Sequence, residues 1–107
     1  MQLKYETEIQ NNAIVQNLKR LTNQIYKLLP NWEEGVDWRK PLTTILEEFA
    51  GMDRLFLNYH TILFSLLCKL EGLFILDDKY NEKESFFIFR KTIFECLSLV
   101  NDLVKVC

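Results

Sequence analysis

LTTILEEFAGMDRLFLNYHTILFSLLCKLEGL, residues 42 to 73, carries the pattern from which the fold is read. Leu42, Ile45, Phe49, Met52, Phe56, Tyr59, Leu63, Leu66, Leu70 and Leu73 alternate steps of three and four without a phase error. That spacing places them on one face of an α-helix. Gly51 sits inside the run. A turn there would have no need to keep the phase, and glycine within a helix costs only about 1 kcal/mol. The pattern therefore predicts one long helix over residues 41–76, kinked near Gly51. The alternative is a break, with Asp53 as a new N-cap. Uninterrupted, the helix would be about 54 Å long. The flanking helices measure only about 33 and 36 Å, so part of it would lie uncovered and a homodimer is expected.

Upstream, Ile14, Leu18, Leu21, Ile25 and Leu28 form a second apolar seam on a helix from about Glu8 to Leu29. Gln16, Lys19, Arg20, Asn23 and Lys27 occupy its polar face. Thr7 and Asn11 share the phase of the seam, so the stripe fades toward the N-terminus. Pro30 is expected to end this helix, because the residue before a proline is pushed out of the α region. PNWEEGVDWRKP, residues 30–41, then reads as a structured connection, with Asp37 available to cap the next helix and Pro41 tolerated in its first turn.

Downstream, Asp77 to Glu84 is polar. Asn81-Glu82-Lys83-Glu84 fits a capping box, in which the Asn and Glu side chains each accept from an orphan amide. The last helix is expected over 82–105, with Phe86, Phe89, Ile93, Cys96, Val100 and Leu103 as its seam. Phe87, Phe94, Leu97 and Val104 widen the apolar arc, so that face is expected to be buried on more than one side. Short connections favour antiparallel neighbours. The reading is all-α, one domain over residues 1–107: an antiparallel bundle of three long helical segments, or four helices if the chain breaks at Gly51.

Composition agrees. Hydrophobic residues make up 49% and charged residues 26% of the 107, so the chain is expected to fold rather than stay disordered. Three Gly and two Pro are too few for the turns of a β-sandwich. A net charge of −2 gives no strongly basic surface for nucleic acid. Cys68, Cys96 and Cys107 are an odd set with no close pair, read as reduced, buried thiols of a cytoplasmic protein. Leu55–Leu76 is apolar, but Asn58, His60, Lys69 and Glu71 interrupt it and argue against a membrane span.

No catalytic, cofactor or metal site is expected. His60 is the sole histidine and has no Glu three residues before it, as a di-iron bundle would require. Glu33-Glu34, Glu47-Glu48 and Asp77-Asp78 are adjacent pairs, and neighbours on a helix point about 100° apart. Asp77, Lys79 and Asn81 lack the Gly and terminal Glu of a calcium loop. Three scattered glycines make no phosphate cradle.

Two features point to binding. Trp32 and Trp38 lie in the proline-bounded connection among Glu33, Glu34 and Asp37, and tryptophans beside charges are enriched at interaction hot spots. These five residues are the expected partner-binding patch, with Trp38 buried and Trp32 exposed; the competing expectation is that one or both rings plug the end of the bundle. Eight Phe and four Tyr also supply more apolar surface than one small bundle covers, for which self-association is the natural outlet.

Leu28-Leu29-Pro30, Glu33 through Trp38, and Leu42 to Gly51 resemble small uncharacterised helical proteins of bacteriophages and mobile elements of low-GC Gram-positive bacteria. The resemblance covers about half the chain. It implies an accessory or regulatory protein that acts by binding another protein, and it assigns no residue a role. The leading expectation is thus a non-enzymatic protein–protein interaction module. A nucleic-acid-associated factor using Lys19, Arg20 and Lys27 comes second, and a nucleotide hydrolase using Glu47, Glu48 and Asp53 third.

Overall fold

The structure, a computed structural model, describes residues 8–76 and 82–106, which are helical apart from turns and short irregular links, with no strand among them. Five α-helices follow one another: α1 (Glu8–Tyr26), α2 (Leu28–Glu34), α3 (Arg39–Ala50), α4 (His60–Gly72) and α5 (Glu82–Lys105). Two 3-10 segments, Asp53–Tyr59 and Leu73–Ile75, flank α4. The capping box at Asn81 and the pair Asp77-Asp78 lie outside the described residues, as does Cys107.

Cross-helix contacts fix the topology. Arg20 of α1 reaches Glu48 of α3, and Tyr26 at the end of α1 meets Phe94 of α5. Lys69 of α4 pairs with Glu95 of α5. Arg39, opening α3, donates to the Leu76 carbonyl beyond α4. α1, α3, α4 and α5 therefore run up, down, up and down, and each packs on two antiparallel neighbours. α2 is a short crosspiece at one end.

The long middle helix is not formed. Gly51 and Met52 make a turn, the 3-10 segment follows, and Phe56 inside it leaves helical geometry at φ −121°, ψ 45°. The chain then folds back as α4. The molecule's longest dimension is 49 Å, so an unbroken 54 Å rod would not fit within it. The phase survives the reversal for a physical reason. Met52, Phe56 and Tyr59 turn inward over the end of the core, where Met52 and Phe56 are buried and Tyr59 half-buried. A 3-10 turn has three residues per turn, so a hairpin tip built from such turns also needs an apolar residue every third or fourth position. Folding back covers the apolar face within one chain, and the geometric reason for a homodimer goes with the rod.

Pro30 likewise does not end helical structure. α1 stops at Tyr26, and Pro30 falls in the first turn of α2, where its missing N–H has no intrahelical acceptor to lose. α2 closes with Gly35 in the left-handed region at φ 72°. The Gly35 amide donates to the Trp32 carbonyl and the Val36 amide to that of Asn31, the paired bonds of a Schellman motif. Asp37 then caps α3 as expected, its Oδ1 accepting from the amides of Arg39 at 3.0 Å and Lys40 at 3.4 Å.

One continuous core results. Leu18, Leu21, Ile25 and Leu28 meet Leu42, Ile45 and Phe49 from α3, Leu63, Leu66 and Leu70 from α4, and Phe89, Ile93, Cys96, Val100 and Leu103 from α5. No polar or charged residue among those described is buried.

Candidate functional site

The proline-bounded segment is built around its tryptophans. α2 turns Trp32 inward, and the Asp37 cap fixes where the chain enters α3, which sets Trp38 beside it. The rings lie 5.2 Å apart between centroids. Both pack on Phe89 of α5, Trp32 at 4.4 Å and Trp38 edge-on at 5.0 Å, with Phe86 at 6.4 Å from Trp32. The Arg39 guanidinium lies 4.3 Å over the Trp38 ring while its Nη2 holds the Leu76 carbonyl. The cation thus covers the outside of the cluster and ties α3 to the end of α4.

This geometry corrects the expected patch. Trp32 is only 7% exposed and Trp38 2%. Trp32 was expected to stand in solvent, and instead it plugs the core. Glu33 and Glu34 are exposed, and Asp37 is engaged as a cap. The five residues share a segment, but they do not present two accessible rings among acids. The Trp38 Nε1 is buried without a hydrogen-bond partner.

The other candidates separate. His60 is exposed, stacks against Phe64, and sets Nδ1 3.2 Å from Asp53 Oδ1 at the hairpin tip. Glu48 pairs with Arg20 at 2.9 Å, while Glu47 faces solvent. Among the described residues no three His, Cys, Asp or Glu side chains gather as metal ligands. Glu47, Glu48 and Asp53 therefore do not form a magnesium cluster. Of the basic trio, Arg20 is engaged by Glu48 and Asn17. Lys19 lines a shallow depression between α1 and α5, and Lys27 another between α1, α2 and α3.

The cysteines also diverge. Cys96 is buried, and burial pushes its thiol from 9.0 up to about 12; Lys69 pulls the value down and Glu95 adds to the rise. Cys68 is free and exposed on α4, contrary to the expectation of a buried thiol. No described helix is long and apolar enough to cross a membrane.

What the sequence reading missed lies on the outer faces of α4 and α5. Phe64 is 59% exposed, Phe87 66% and Phe94 44%, and Ile75 stands almost fully in solvent. Phe87 and Phe94 were expected to widen the buried arc. Only Leu97 and Val104 of that set do so, packing half-buried against the core. The signal was present in the helical phase: Phe87 and Phe94 share the face of Lys91, Ser98 and Asn101, opposite the seam of Phe89, Ile93 and Cys96. Tyr26 meets Phe94 edge-on at 6.5 Å, and the Arg90 guanidinium lies 5.2 Å over the same ring.

Compared with protein-family models, curated proteins and solved structures, the chain matches none.

Proposed function

We propose that this chain acts by binding another protein, as a non-enzymatic accessory or regulatory module of the phage or mobile-element kind, working in the cytoplasm. The observation that carries the reading is the row of large apolar side chains on the outer faces of α4 and α5. Phe64, Ile75, Phe87 and Phe94 point away from a core that is already closed without them. Exposed apolar patches mark interaction sites, and aromatic side chains are enriched at binding hot spots. Homodimerisation belongs to the same reading, since a second copy is one protein such faces could take. The contact surface moves from the tryptophan segment, whose rings are spent on the core, to these helix faces.

The test is capture by the immobilised full chain from extracts of low-GC Gram-positive bacteria, run in parallel with Phe64→Ser and Phe87→Ser variants. A protein retained by the wild type and lost by either variant supports the reading. Magnesium-dependent nucleotide turnover by the purified chain would overturn it.

A further inference from the structure

We propose that the outer face of α5 is the docking site for an acidic amphipathic helix of the partner protein. This inference rests on the protein-binding reading above and gives it a place and a chemistry. Along the 24 residues of α5, the outward positions carry Lys83, Phe87, Arg90, Lys91, Phe94 and Lys105, every one exposed. The remaining exposed positions are Glu84, Ile88, Ser98 and Asn101. Four cations and one exposed carboxylate thus occupy the outer face of α5 in a chain whose net charge is −2. At about 100° per residue, Glu84 shares the heptad position of Lys91, Asp102 is half-buried beside the stripe, and Glu95, at the edge of the stripe, is paired with Lys69, 3.5 Å away.

The apolar part of the stripe is held in place. Phe94 is fixed between Tyr26 of α1 and the Arg90 guanidinium, and Phe87 stands one heptad earlier, about 10.5 Å along the axis. Between them lies a shallow concavity of about 450 Å³, lined by these two rings, Arg90, Lys91, Glu95 and Ser98. A partner helix with apolar residues seven apart meets both rings at once. Carboxylates flanking its apolar seam would then face Lys83, Arg90 and Lys91, as charges flank the seam of a coiled coil. A second copy fits less well, because a two-fold contact of α5 on α5 sets cations against cations. Single-stranded nucleic acid fits less well too. Four charges spread over about 33 Å are sparse for a polyanion, and the chain as a whole repels one.

The test uses the full chain and three fluorescent probes read by anisotropy. Two are synthetic helical peptides with leucine at the heptad core positions, one flanked by Glu and the other by Lys. The third is a fifteen-residue oligothymidylate. The wild type is expected to bind the Glu peptide at least about tenfold tighter than the Lys peptide, with the preference shrinking from about 50 to about 300 mM salt. R90E/K91E should reverse the preference. Phe87→Ser should weaken binding of the Glu peptide about tenfold. All these side chains are exposed, so each variant should keep the wild-type melting curve. Equal or absent binding of the two peptides would overturn the proposal. So would tighter binding of the oligothymidylate, or self-association in sedimentation that R90E/K91E abolishes. The two readings fail separately: a captured protein lost by Phe64→Ser but kept by Phe87→Ser and R90E/K91E sinks the α5 assignment and leaves the protein-binding reading standing.

Discussion

At the scale of single residues, Trp38 holds a large buried ring and an indole N–H without a partner. A buried unsatisfied donor costs about 1–3 kcal/mol, whereas the ring fills space that only another ring would fill. Trp38→Phe should therefore stay within about 1 kcal/mol of the wild type in urea unfolding, while Trp38→Ala and Trp32→Ala should each lose about 3–5 kcal/mol. Both tryptophans should emit at short wavelength and resist a small polar quencher; red-shifted, quenchable emission would mean the plug is not formed. Cys96 gives a second test. Its folded-state value of about 12 lies above the 9.0 of an exposed thiol. The folded chain thus keeps a proton that the unfolded chain releases above pH 9. The stability tied to that difference is fully present below pH 9 and is lost as pH rises from 9 toward 12. Cys96→Ala should be less stable at pH 7 by about 1–2 kcal/mol and lose less stability than the wild type over the alkaline range. With a thiol reagent at neutral pH, Cys68 should react in the native state and Cys96 only after unfolding.

At the scale of elements, Gly35 and Gly51 both end helices and behave in opposite ways. Gly35 sits at φ 72°, where a Cβ is strained even though the space beside it is open. Gly35→Ala should cost about 1 kcal/mol in thermal unfolding and weaken the Schellman closure that turns Trp32 inward. Gly51 has ordinary helical angles, and a Cβ there would meet only the carbonyls of Glu47 and Glu48 at 3.5 Å. Gly51→Ala should raise stability by about 0.4–1 kcal/mol through the unfolded state and leave the hairpin intact. If that variant instead runs as a dimer, the chain can straighten, and the turn at Met52–Tyr59 is held by the glycine after all. These elements also show what was legible. The bounds and seam of α5 read from its periodicity, though not the exposure of Phe87 and Phe94; so do the seam of α1 as far as Ile25 and the capping role of Asp37. The reversal between α3 and α4 does not, because the apolar steps of a 3-10 hairpin tip mimic those of a continuing helix. Nor does the fate of Pro30, since a proline that terminates one helix and one that starts the next look alike without knowing which amides are already unpaired.

At the scale of the whole molecule, the sequence makes the bundle plain and conceals where its surface is sticky. Apolar content alone cannot separate Phe89, at the centre of the aromatic plug, from Phe87, two positions away and in solvent; only the phase relative to the lysines does. The same distinction bears on assembly. The uncovered half of a 54 Å rod was the reason to expect a dimer, and the folded-back hairpin now covers that surface with α1 and α5 of the same chain. What stays outside is a basic α5 stripe, which repels its own copy, and an α4 face bearing Phe64, Cys68 and Ile75, with only Glu71 charged among its outward positions. If copies pair at all, α4 is the face that would bring them together, and Cys68 lies near its middle. Sedimentation across about 5 to 500 μM should then show a monomer at the low end, with any association at the high end removed by Phe64→Ser and untouched by Phe87→Ser. A dimer persisting at the lowest concentration would mean that a large, obligate interface exists, which neither the α4 nor the α5 face by itself accounts for.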